Sequence, residues 1–321
     1  MKKTLMTVAA LAVAVLGLSS CAADAGAPAE DDQKRLGIIA IVATDALNAA
    51  MIAGATAAAE EAGWTVNVTD AQGSLDQANA AMVTYSTTQP MDAIVVSAFA
   101  SSSIGAGLAA SKAAGIPVVT WGGELVDGIV AASSALPVGY DSINNMLDDF
   151  GTEGKVLALT YHTGILCLYR GVAFDEVISK EPGITVTHNE VAIPGQVDDG
   201  NAFTAAWLAA NPEGSGPLAI WGAWDEPAMG ALAAIAQAGR TDVKVYSING
   251  APNALQAVKD GTMQQIIWQD GYTEGQELFT AAAESIEAGD SWEQKTIDVP
   301  GVLVTSETID DFLAEHPDAL G

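Results

Sequence analysis

The chain has 321 residues, with 12 Lys and Arg against 40 Asp and Glu, for a formal net charge of -28 at pH 7. So acidic a surface repels phosphate backbones and anionic lipid, which argues against nucleic acid as a partner. Half of the residues are hydrophobic and only two are cysteines, so the chain can bury two cores but cannot be a disulfide scaffold.

At the N-terminus, Lys2 and Lys3 precede an apolar run over residues 5–16, interrupted only by Thr7. The run is too short to span a bilayer and has the form of a secretory signal over residues 1–20. It ends in Leu18-Ser19-Ser20-Cys21, which resembles the bacterial lipobox, where the chain is cut before a cysteine that carries lipid. The expectation is an extracytoplasmic protein anchored to the cell membrane through Cys21. Cys167 is then left alone, and no catalytic signature surrounds it, so a buried structural role is expected. Residues 21–35, rich in Ala, Asp, Gly and Pro, lack apolar periodicity and form a tether.

From Leu36 onward, apolar β runs alternate with amphipathic helices. Strands are predicted at 37–43, 64–69, 93–97 and 117–121, then at 155–161, 185–191, 217–221, 244–248 and 264–268. Helices are predicted at 49–62, 75–87, 102–114, 172–179, 202–210, 227–238, 251–259 and 274–288. Gly63, Gly115 and Gly239 stand where helices should stop. Such alternation implies parallel sheets covered on both faces. The series divides near Val138-Gly139-Tyr140-Asp141, giving an α/β fold of two doubly wound parallel-sheet lobes joined by a hinge. The expected lobes are 36–139 with 270–296, and 140–269 with 297–321, the chain recrossing near 269–271. In such sheets ligands bind beyond the carboxyl ends of the strands, so the interlobe cleft is the expected site.

Gly105-Ala106-Gly107-Leu108-Ala109-Ala110, with Glu124 beyond it, fits a loose dinucleotide fingerprint. That fingerprint needs its first glycine directly after a strand, whereas Ala98 to Ile104 intervene here and the glycines fall in a helix. No P-loop, nucleophile elbow, HExxH or multi-cysteine pattern occurs, and His162, His188 and His316 are scattered. No cofactor, no metal and no enzymatic activity are expected. Acidic pairs such as Glu60-Glu61 and Asp148-Asp149 are solvated faces.

Several segments carry a more specific resemblance. They are Gly54-Ala55 with Glu60-Glu61-Ala62-Gly63-Trp64, the strand Asp92 to Ser97, Gly115-Ile116-Pro117, Arg170-Gly171-Val172-Ala173-Phe174, Asp225 to Leu232, and Asn249-Gly250-Ala251-Pro252 with Lys259-Asp260-Gly261. In order and spacing, residues 36 to about 304 resemble the ribose-type periplasmic binding-protein family, of type I fold. The resemblance implies the solute-binding component of an ABC importer, a small neutral sugar or polyol as ligand, a membrane permease as partner, and a monomer. Repressors that share the fold carry a DNA-binding headpiece where this chain has an export signal.

Carried over residue by residue, the resemblance points to Asp45, Asn48, Trp121, Arg170, Trp224, Asn249, Trp268 and Gln269 as ligand-binding candidates. The chain also departs from the family pattern. The loop after the first strand reads Thr44-Asp45-Ala46-Leu47-Asn48 without an aromatic pair, Leu168 aligns with a ligand-facing arginine, and Trp224 replaces an asparagine. Aromatic faces thus replace charge in this site. Asp45 either holds hydroxyls or caps the first helix, and Arg170 either pairs structurally or touches ligand. Trp64 and Trp207 are read as core, Trp221 as core or cleft, and Asp225 as a helix N-cap. Two other readings compete: the same transport role with a less hydroxylated or quaternary-ammonium ligand in an aromatic cage, or an enzyme on a doubly wound scaffold.

Overall fold

A computed structural model describes residues 33–320. The signal segment, Cys21 and nearly all of the tether lie outside the described residues. From Lys34 the chain runs β1 (Arg35–Ala40), α1 (Ala46–Glu61), β2 (Thr65–Asp70), α2 (Leu75–Thr87), β3 (Ala93–Ser97), α3 (Gly105–Ala114), β4 (Val118–Trp121) and β5 (Ile129–Ser133). It continues with α4 (Leu136–Phe150), β6 (Glu153–Thr160), α5 (Ile165–Ile178), β7 (Gly183–Glu190), α6 (Gln196–Ala210), β8 (Leu218–Gly222), α7 (Asp225–Gln237) and β9 (Val243–Asn249). The last elements are α8 (Pro252–Lys259), β10 (Gln265–Trp268), α9 (Gly271–Ala288), β11 (Lys295–Ile297), β12 (Val302–Thr305) and α10 (Ile309–Glu315).

Two six-stranded sheets result, ordered β11-β5-β4-β3-β1-β2 and β12-β10-β9-β8-β6-β7. Every pairing is parallel except β10 with β12. Burial follows position. All residues of β3 and β8, inside their sheets, are buried, whereas β2 and β7 at the edges are largely exposed. That is why the central strands read as unbroken apolar runs while Thr65–Asp70 and Gly183–Glu190 carry Thr, Asn and His.

Helix pairs outside each sheet meet backbone to backbone. A Cβ at Gly54 of α1 would stand 1.9 Å from the carbonyl oxygen of Tyr272, and one at Gly275 of α9 would stand 2.0 Å from that of Met51. In the second lobe, Cβ atoms at Gly200 and Gly230 would lie 2.2 Å and 2.1 Å from the carbonyls of Pro227 and Val197. These contacts seat α1 and α7, whose first turns carry site residues, and any side chain there would force the helices apart.

The chain crosses from the first sheet to the second earlier than the sequence suggests. β5 ends at Ser133 and α4 already packs on α5, so the crossing lies at Ser134-Ala135. Gly139 marks no turn but a close approach, since a Cβ there would be 3.0 Å from Arg170 Cα. The return crossing falls at Gln269-Asp270, and a third joins β11 to β12. The elements β5, β11, β12 and α10 are additional to those predicted. As predicted, α3 contains Gly107, and Gly63, Gly115 and Gly239 have φ of 80°, 72° and 65° just past their helices. Among the described residues, no helix is long and apolar enough to cross a membrane.

Candidate functional site

Each sheet reverses its strand order once, between β1 and β3 and between β6 and β8. The segments leaving the carboxyl ends of these strands line one shared cavity, as the topology demands. The first lobe contributes Asp45, Asn48, Ala98 and Trp121; the second contributes Tyr161, Leu166, Cys167, Arg170, Trp224, Glu226 and Asn249. The cavity measures about 50 Å³, against the ~10–15 Å³ that a single water requires on this measure. A cavity of this size has no room for an oligosaccharide.

Asp45 serves as the N-cap of α1, its Oδ1 accepting from Asn48 N at 2.9 Å and from Asn48 Nδ2 at 3.0 Å. Its Oδ2 is left for the cavity. The side chain of Asn48 is spent on positioning, because its Oδ1 also accepts from Ser97 Oγ at 2.6 Å. Trp121, 1% exposed, donates Nε1–H to Glu274 Oε2 at 2.8 Å and so presents its ring as a wall. Trp224 forms a second wall beside Tyr161, with ring centroids 6.1 Å apart.

Arg170 lies in the second turn of α5 and is 1% exposed. It donates Nη1 to the carbonyl of Ala223 at 2.7 Å and Nη2 to Gln269 Oε1, while its Nε finds no partner. Burial lowers its pKa, but a guanidinium stays charged at any ordinary pH. Asn249, 7% exposed and at φ 98°, likewise keeps an unpaired Oδ1. A buried polar atom without a partner costs about 1–3 kcal/mol, so a donor and an acceptor left open on one cavity indicate a ligand that supplies both.

Other candidates fall elsewhere. Trp268 stands outside the cavity, packed edge-on against Phe312 and tilted against His316, with ring centroids 5.2 and 4.6 Å away. Gln269 holds the guanidinium of Arg170 from the crossing segment. Asp225 is not the N-cap of α7; Trp224 occupies that position, and Asp225 Oδ2 accepts from Ala251 N at 2.6 Å, bracing the loop after Asn249. Burial raises the Asp225 pKa to about 7 and that of Glu274 to about 8, with the charge of Asp45 adding to the first. Trp221 is core, donating to Ser142 Oγ at 3.0 Å. Leu168 does not line the cavity, whereas Leu166 and Cys167 do. Burial pushes the Cys167 thiol up to about 12, so it is protonated and inert.

Glu226, unassigned by sequence reasoning, lines the cavity from the first turn of α7. Its Oε2 accepts from Gln196 Nε2 at 2.6 Å and Trp224 Nε1 at 3.3 Å. Burial and the facing charge of Asp45 raise its pKa. Tyr161 was also missed, although it directly follows β6. Among the described residues, no group of three or more His, Cys, Asp or Glu could hold a metal ion.

Two doubly wound lobes that close over one small, hydrogen-bonding cavity define a protein that captures a solute. The chain belongs to the periplasmic binding protein family, whose domain model matches residues 36–290, and this is a family of extracytoplasmic transport proteins. It is similar to the xylitol-binding protein of Mycolicibacterium smegmatis, with 29% identity over 191 residues, 58% of this chain and 54% of that protein. The match thus spans about half of that relative's length. It is 25% identical over 259 residues to the D-apiose import binding protein of Actinobacillus succinogenes, covering 79% of this chain and 82% of that one. Its structure is similar to that of an ABC transporter solute-binding protein from Agrobacterium vitis with bound allitol. The TM-score is 0.80 at 26% identity, covering 88% of this chain and 99% of that one.

Proposed function

We propose that this protein is the solute-binding component of an ABC importer and takes one small neutral sugar or polyol into the interlobe cavity. The observation that carries the reading is the pair of open polar atoms, Arg170 Nε and Asn249 Oδ1, beside the indole walls of Trp121 and Trp224. A hydroxyl both donates and accepts, so adjacent hydroxyls satisfy both atoms while C–H faces lie against the tryptophans. A trimethylammonium group has no N–H or O–H and would leave Asn249 Oδ1 unpaired. The relatives named for xylitol and D-apiose, and the neighbour holding allitol, support the same ligand class.

In this reading the ligand is released unchanged to a membrane permease. Lobes bounded near the crossings close about it by hinge rotation, the protein acts as a monomer, and Cys21 carries the lipid that keeps it at the membrane. A thermal-shift screen of the folded domain against sugars, polyols and betaines tests the ligand class. A true ligand at 100 times its Kd should stabilise by about 2.7 kcal/mol, and a response confined to betaines would overturn the reading.

A further inference from the structure

We infer that Glu226 is a specificity-determining residue that selects neutral polyols and excludes sugar acids; the inference rests on the proposed function and names its chemistry more closely. The polar atoms open to the cavity are unevenly divided. Among the described residues no protein donor reaches Asp45 Oδ2 or Glu226 Oε1, because the hydrogen bonds of each carboxylate fall on its other oxygen. Asn249 Oδ1, nine-tenths buried, is a third open acceptor, and the open donors beside these three are Arg170 Nε and the Asn249 amide NH2. A ligand must therefore bring at least three O–H donors, as neighbouring hydroxyls do.

The two carboxylates come from opposite lobes and act on each other electrostatically across the cavity. Hydroxyls donating to both relieve that opposition and hold the lobes together. A carboxylate or phosphate placed there would add a third negative charge, with only Arg170 Nε and the uncharged Asn249 amide left to receive it. Like charge in a closed, desolvated site costs several kcal/mol, so the arrangement discriminates by repulsion as well as by fit.

Glu226→Gln tests this by reversing the polarity of one atom at constant shape. The amide oxygen can keep the bonds from Gln196 and Trp224, and the NH2 then replaces the open acceptor. Xylitol, allitol and xylonate are titrated calorimetrically into the wild-type protein, Glu226→Gln and Glu226→Asp, with thermal midpoints confirming folding. The wild type should bind one of the two alditols at least 100-fold more tightly than xylonate. Glu226→Gln should narrow that ratio at least tenfold, losing alditol affinity and gaining xylonate affinity. Glu226→Asp, which keeps the charge but retracts it, should lose alditol affinity without gaining xylonate. A folded Glu226→Gln with an unchanged ratio overturns the inference while leaving the proposed function standing. A wild type that binds no neutral polyhydroxy compound in the wider screen overturns both.

Discussion

Tyr169 donates its hydroxyl to Glu124 Oε1 at 2.8 Å, joining α5 of the second lobe to the loop after β4 of the first. The other oxygen of Glu124 accepts from Ser101 N at 2.9 Å, so the carboxylate is fixed within its own lobe before it meets the tyrosine. Beside it, Ile165 N donates to the Ala98 carbonyl at 2.9 Å and Phe99 bridges to Gly164. The lobes are thus closed by direct contacts outside the cavity. Tyr169→Phe removes one such contact and should shift the protein toward an open form, weakening ligand binding about 2- to 10-fold, the equivalent of one net hydrogen bond. Solution scattering should show a larger radius for the ligand-free mutant; identical radii and affinity would count against a closing role for this pair.

Two tryptophans should behave oppositely. Trp224 lines the cavity and donates to Glu226, so Trp224→Ala should weaken binding more than tenfold, a loss above about 1.4 kcal/mol. Trp268 packs on Phe312 and His316 away from the cavity, so Trp268→Ala should lower the unfolding midpoint yet leave affinity within about threefold. Calorimetry with one alditol on both mutants compares them directly.

Two buried carboxyls should contribute stability that is lost as pH rises. Glu274 is buried, which raises its pKa to about 8, against about 4.3 for an unfolded glutamate. The folded chain therefore holds this proton more tightly than the unfolded one. The stabilising contribution is full below pH ~4, and it is lost as pH rises through about 8, at no more than ~1.4 kcal/mol per pH unit for the group. Asp225, raised to about 7, acts in the same sense over a lower range. Glu274→Gln keeps an acceptor for Trp121 Nε1, and its unfolding midpoint should change less between pH 5.5 and 8.5 than that of the wild type. An equally steep decline in the mutant would remove Glu274 as a cause.

The anchor is tested at its cysteine. Cys21→Ser should abolish lipid attachment and release or misprocess the protein, read as loss of label from a radiolabelled fatty acid and loss from the membrane fraction. Unchanged partitioning would refute the lipid-anchor proposal.

Much of this was legible in the sequence because the central strands are apolar on both faces. β3 was predicted with the observed ends and α2 likewise, and most other strands within two or three residues. One glycine misled the reading. Gly139 reads as punctuation in one dimension, but in three it lets α4 approach α5, which hid the start of that helix and the crossing before it. Strand ends located the cleft, yet could not say which way a terminal side chain turns. Trp121 ends β4 facing the cavity and Trp268 ends β10 facing α10, a difference set by neighbours distant in sequence. Glu226 escaped because an Asp-Glu pair at a helix start is common. Only the folded structure shows that Asp225 turns to the Ala251 amide and Glu226 to the cavity.

Intrinsic fluorescence offers the most direct test of the central claim, because Trp121 and Trp224 wall the cavity. Titrating the folded domain with xylitol, allitol and a panel of neutral monosaccharides should give, for at least one, a saturable change fitting one site per chain. Glycine betaine and xylonate should give none at the same concentrations. A saturable response to betaine, with none to any neutral polyhydroxy compound, would contradict the account.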